Sequence, residues 1–147
     1  GEYAVMMAEG AVSCTGLERG IGYWRQVLEP RGMLAVSEIT WLTANRPAEL
    51  EKYWDAEYPE VGTASEKMKV IERSGYSPVG YFVLPEYCWV DNYYEPLQKS
   101  LPDFLKRNDE SEEARQVVEA EEQEIGLYER YRAYYSYGFY VARRVEE

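Results

Sequence analysis

A chain of 147 residues, 46% hydrophobic and 29% charged, has the make-up of one soluble globular domain with room for a real core. A formal net charge of −11 disfavours a nucleic-acid partner, because such a surface repels phosphate backbones. With no histidine and only Cys14 and Cys88, the composition excludes histidine metal sites, Ser-His-Asp triads, zinc clusters and disulfide frameworks, and fits a reducing cytoplasm.

The first elements organise the rest. Tyr3–Ala8 is an apolar run, and Met33–Ser37 is a second. Between them Leu17, Ile21, Trp24 and Leu28 fall at alternating four- and three-residue spacing, one face of a helix. Strand, helix and strand in so short a stretch predict a βαβ unit with parallel strands and a right-handed crossover. Glu29-Pro30-Arg31-Gly32 reads as the breaker between helix and second strand. An acid follows each strand, Glu9 after the first and Glu38 after the second. Open α/β sheets bind ligands outside the carboxyl ends of their strands, so these two acids are the first candidates for chemistry. Gly1 is not an initiator, and the chain enters a strand almost at once. A buried parallel strand needs neighbours on both sides, so the sequence reads as a piece of a larger domain.

Pro47 is expected to open a helix over Ala48–Tyr58, with Leu50, Tyr53, Trp54 and Glu57 or Tyr58 on one side, which Pro59 ends. Ala64–Ser74 follows as a helix capped by Thr63 or Ser65, lined by Ala64, Met68 and Ile71, and closed by Gly75 in a left-handed conformation. Tyr76–Pro85 is a strand broken early by Pro78. An aromatic segment over Glu86–Tyr94 leads to a helix over Pro96–Asn108, perturbed by Pro102. Asp109–Tyr135 carries the longest helical signal, with Tyr128, Tyr131 and Tyr135 on its inner side. Tyr137–Arg143 alternates as a strand. No apolar run approaches the roughly 20 residues of a membrane span, and no secretory signal is visible.

Several strings resemble class I S-adenosylmethionine-dependent methyltransferases, the small-molecule type of bacteria and archaea. They are Ala8-Glu9-Gly10-Ala11-Val12, Gly20-Ile21-Gly22-Tyr23-Trp24-Arg25 and Gly32-Met33-Leu34-Ala35-Val36-Ser37-Glu38, then Arg46-Pro47-Ala48-Glu49, Ser74-Gly75-Tyr76 and Leu84-Pro85-Glu86-Tyr87-Cys88-Trp89. The resemblance implies an α/β fold: the second half of a Rossmann-like methyltransferase sheet, two parallel strands plus a late antiparallel pair, with helical lid insertions. Residues 1–147 would form the C-terminal part of that domain: 1–40 the βαβ unit, 41–75 lid and helix, and 76–147 the late strands with a helical insertion. In that fold the last strand slots antiparallel beside the one formed by Val79–Leu84.

The glycine-rich cofactor loop and the ribose-binding acid would belong to the missing N-terminal half. The nearest string, Gly16-Leu17-Glu18-Arg19-Gly20-Ile21-Gly22, lies in the crossover helix and reads as close helix–sheet packing. The resemblance therefore implies S-adenosylmethionine as cofactor of the complete enzyme, with weak or no binding by this chain alone. It places Ala8 and Glu9 near the cofactor, and Glu9 and Glu38 as candidate catalytic carboxylates. Without histidine, a carboxylate or tyrosine is the available proton acceptor. Trp41, Trp89, Tyr93 and Tyr94 fall on loops expected to cover the pocket. Trp41, Trp89 and Tyr93 are the candidate contacts to a small-molecule acceptor, whose amine such rings can hold by cation–π attraction. Cys14 and Cys88 read as inert thiols. The alternative is a non-enzymatic α/β module that binds a ligand or partner, or a second copy of itself, through the exposed edge of its first strand.

Overall fold

The computed structural model describes residues 3–9 and 16–145, with the side chains of Ala8, Glu9, Trp89 and Tyr93 outside that description. Two compact units divide the chain, Gly1–Val83 with Ala133–Glu147, and Leu84–Arg132.

The first unit is built on a sheet. Its strands are β1 (Tyr3–Glu9), β2 (Leu28–Trp41), β3 (Gly62–Thr63), β4 (Tyr76–Val83) and β5 (Tyr135–Arg144), and its helices are α1 (Leu17–Arg25), α2 (Ala48–Glu57) and α3 (Ala64–Arg73). The strand order is β1-β2-β5-β4, with the two-residue β3 pairing beside β2. β1 and β2 run parallel, as the hydrophobic pattern predicts. The last strand, β5, lies antiparallel to both neighbours and separates β2 from β4.

Leu34, Val36, Tyr140 and Ala142, on one face of β2 and β5, pack with Leu17 and Ile21 of α1, Ile71 of α3 and Tyr76 of β4. Tyr76 fixes this layer with a hydrogen bond from its hydroxyl to the Ile21 carbonyl (2.6 Å), and burial pushes its phenol up to about 12. Gly75 closes α3 at φ 95°, as expected of a left-handed cap. A Cβ there would also run into the Arg25 side chain, whose Nε donates to the Gly75 carbonyl (3.3 Å). Thr63 rather than Ser65 caps α3, in a reciprocal capping box with Glu66.

Three expectations for this unit are corrected. Leu28 does not end the helix: α1 stops at Arg25, and Leu28 opens β2 opposite Tyr3, fully buried. Strand pairing overrides the helical spacing there. Glu29–Gly32 does not separate helix from strand but bulges within β2, between the Leu28–Tyr3 and Met33–Val5 pairs, with Arg31 at φ 66°. Glu38 does not follow β2; it sits inside it, because pairing with β5 continues through Trp41.

The second unit is helical. A continuous helical stretch comprises α4 (Glu86–Trp89), a π-helical segment (Val90–Tyr94) and α5 (Glu95–Arg107), and α6 (Glu112–Tyr131) follows. The stretch starts at Glu86, ten residues before the expected Pro96. The π segment ends just before Glu95-Pro96, where proline lacks the amide an α-turn needs and its ring crowds the carbonyl four residues back. α6 is shorter than the Asp109–Tyr135 pattern. Asp109 and Glu110 adopt left-handed conformations before Ser111, which caps the helix, and Tyr135 is drawn into β5. Tyr94 and Tyr128 are buried against each other, ring centroids 5.4 Å apart, so Tyr94 belongs to this unit's own core.

Candidate functional site

The site residues gather along the carboxyl half of β2. Alternation puts Leu34, Val36, Glu38 and Thr40 on the helix-covered face, so Glu38 is carried into the interior at 2% exposure. Its register partner in β5 is Gly138, where an added Cβ would strike the Thr40 hydroxyl at 2.8 Å. Thr40 donates to the Glu38 carbonyl (2.9 Å), which leaves Tyr140 as donor in the 2.7 Å hydroxyl–hydroxyl bond between them.

A buried carboxylate must find donors, and Glu38 finds two on one oxygen. Its Oε1 accepts from the Tyr58 hydroxyl (2.8 Å) and from Lys67 Nζ (3.3 Å). Lys67, itself buried, also donates to the Glu60 carbonyl. Burial pushes the Glu38 carboxyl above the usual range, opposed by the Lys67 charge. Burial and the facing carboxylate push the Tyr58 phenol upward, so Tyr58 remains a proton donor. The cluster ties β2 to the end of α2 and to α3. The carboxylate expected to serve as a base is here engaged by a lysine and a tyrosine.

Trp41 ends β2 and is 7% exposed. Its ring meets Tyr135 edge-on (6.3 Å, 79°), and Tyr135 meets Trp54 (5.4 Å, 67°). The Arg46 guanidinium stands over Trp41 at 4.5 Å, so a cation from the chain itself makes the contact expected of an acceptor amine. Arg46 Nε pairs with Glu51 (3.1 Å), and its Nη1 donates to the Thr43 carbonyl (2.7 Å).

Of the other expected residues, Ala8 and Glu9 close β1 in register with Val36 and Ser37, so the structure brings their backbone beside Glu38. Trp89 ends α4 and Tyr93 lies in the π-helical segment of the second unit. Cys88 is a half-buried free thiol, and Cys14 lies outside the described residues. Tyr128 and Tyr135 are buried as expected of core tyrosines, whereas Tyr131 is half-buried. Gly16-to-Gly22 spans the α1 cap and first turns. Gly20 is buried there, but Gly22 faces open space, so only part of the string serves close packing. Among the described residues no cluster of acids and cysteines could hold a metal ion.

Sequence reasoning missed Tyr58, Lys67 and Arg46. Lys67 had left a sign, because it interrupts the apolar stripe of Ala64, Met68 and Ile71 with a charge at i+3.

The sequence matches no protein-family model and no curated protein. Solved structures are similar in fold. A SAM-dependent methyltransferase from Geobacter sulfurreducens in complex with S-adenosyl-L-homocysteine superposes with a TM-score of 0.77 at 21% identity, over 97% of this chain and 59% of that one. Its counterpart from Thiobacillus denitrificans, in complex with the same molecule, gives 0.75 at 22% identity, over 96% and 58%. The cyclopropane synthase MmaA2 from Mycobacterium tuberculosis gives 0.68 at 18% identity, over 95% and 55%. The chain thus has the Rossmann-like α/β fold of SAM-dependent methyltransferases and spans less than two thirds of these neighbours' length.

Proposed function

We propose that this chain is the acceptor-side part of an S-adenosylmethionine-dependent methyltransferase acting on a small molecule. The observation that carries the reading is the strand order β1-β2-β5-β4, with the final strand inserted antiparallel, in a chain that superposes along almost its whole length on such enzymes. Function does not follow from fold alone, so the site has to bear the rest.

The described residues fit only one flank of the cofactor. No glycine-rich turn joins a parallel strand to a helix among them, and in the glycine string of α1 Gly16 is the cap, Gly20 is buried and Gly22 faces open space. Ala8 and Glu9, at the carboxyl end of β1, are the residues that would reach it. When bound, the cofactor supplies an electrophilic methyl group on a sulfonium. Alignment of the acceptor supplies most of the remaining acceleration in such a displacement. In our reading Glu9 takes the acceptor's proton. Trp41 is assigned to the acceptor side, where its ring carries the Arg46 guanidinium, while Glu38 positions β2 and α3 rather than moving a proton. The glycine-rich loop and further strands come from an N-terminal portion of the domain, and the setting is cytoplasmic.

Calorimetry with S-adenosylmethionine tests this division. The 147-residue chain should bind weakly or not at all, and its fusion to the first strands of the Geobacter enzyme should bind and turn over. Tight binding by the chain alone would end the acceptor-side assignment. In a working fusion, Glu9→Gln should depress turnover; unchanged kinetics would remove Glu9 from the site.

A second reading has its own support. β1 is the outer strand of the described sheet, an edge open to strand addition by a partner or a second copy, and its Tyr3, Val5 and Met7 side chains are 51%, 60% and 68% exposed. Sedimentation of the isolated chain separates the two: a stable dimer abolished by Val5→Lys favours the module.

A further inference from the structure

We propose that Arg46 is the acceptor anchor, and that the acceptor carries a carboxylate. This rests on the preceding reading of the carboxyl end of β2 as the acceptor side.

A guanidinium has five N–H donors. Arg46 commits two, one to Glu51 and one to the Thr43 carbonyl, and its remaining donors meet no acceptor among the described residues. The side chain is nonetheless held: its guanidinium lies over the Trp41 ring, two of its nitrogens are tethered, and only 18% of it is exposed. Little rotamer freedom is left to lose, so an incoming anion meets a preorganised fork rather than a mobile side chain. Guanidinium forks match carboxylates in two parallel hydrogen bonds, which a neutral amide cannot reproduce.

Two acids stand near this cation. Glu51 pairs with it, and Glu66 feels its charge. Both lie in the first turn of a helix, Glu51 in α2 and Glu66 in α3, where the helix dipole offsets part of their charge. Glu66 is further occupied by the Thr63 amide and hydroxyl (3.1 and 3.0 Å). The Glu51 side chain is 44% exposed, so this pair is a weak, displaceable one. The other cation of the neighbourhood, Lys67, is already bound to Glu38 and to the Glu60 carbonyl. Among the described residues at this strand end Arg46 is therefore the cation with donors left for an acceptor's negative charge, with Glu51 as the internal competitor for it.

The test uses two probes of equal size, phenylacetate and phenylacetamide, titrated into the labelled 147-residue chain without cofactor and followed by the NMR signals of Arg46 Nε–H and the tryptophan indoles. Phenylacetate should shift Arg46 and one indole saturably, with phenylacetamide about tenfold weaker, the discrimination a charged hydrogen bond gives. Arg46→Gln should erase the preference for the acid. Arg46→Lys should restore part of it, and Glu51→Gln should strengthen acid binding. Equal response to acid and amide, or an unchanged acid preference in a folded Arg46→Gln chain, overturns the proposal. The two levels of the argument fail separately. Arg46-dependent acid binding with no methyl transfer by the fusion would sink the methyltransferase reading and leave the anchor. Methyl transfer to acid and amide acceptors at equal rates would do the reverse.

Discussion

The two faces of the sheet are built from alternate residues of the same strands, yet they lead different lives. Leu34, Val36, Tyr140 and Ala142 are nearly inaccessible under α1 and α3. On the other face Val5, Met7 and Phe82 are more than half exposed, and Phe82 stacks flat on Phe139 with centroids 5.0 Å apart. Met33-Leu34-Ala35-Val36 is apolar at every position, the pattern of a strand meant for burial on both sides. The covered face holds the larger core, while on the other face burial of large side chains is confined to one end, where Trp41 and Tyr135 pack with Trp54.

That contrast can be broken most sharply at the buried ion pair. Lys67→Met leaves the Glu38 charge buried without its cation and should cost about 3–5 kcal/mol in urea denaturation. Adding Glu38→Gln to it should recover part of the loss; no recovery would mean that Lys67 acts through packing alone. Next, Leu34→Ala or Ile71→Ala should cost about 2–5 kcal/mol as cavities under the helices. Gly75→Ala combines a strained left-handed residue with a clash on Arg25 and should cost about 1–3 kcal/mol. Smallest, Val5→Ser or Met7→Ser on the open face should stay within about 0.5 kcal/mol. A loss there as large as at Leu34 would show that the open face is covered after all.

Acidity sharpens the same comparison, because its two carboxylates shift in opposite directions. Hydrogen bonds from the Thr63 amide and hydroxyl hold Glu66 below its ordinary value of 4.5. Its contribution is thus present above 4.5 and lost as pH falls through its folded value. The stability gap between wild type and Thr63→Ala, about 1 kcal/mol at neutral pH, should narrow on acidification. Glu38 is raised by burial, so its contribution is fullest below 4.5 and declines as pH rises through its folded value. Thermal melts across pH should show that decline in wild type and not in Glu38→Gln.

Local chemistry made much of this molecule legible. The apolar runs of β1 and β2, Pro47 before α2, the Thr63 cap and Gly75 close to α3 each follow from a few neighbouring residues, whose conformational preferences hold wherever the segment sits. The site was less legible. Glu38 and Trp41 could be singled out, but the partners that define what they do, Tyr58, Lys67 and Arg46, come from other elements. Pairing of β2 with β5, a hundred residues away, carried Glu38 from a strand's end into its interior and took Tyr135 from a helix into a strand. Helix and strand periods are written in nearest neighbours. Which carboxylate meets which lysine is decided only when distant strands pair and the burial they create must be answered by a donor.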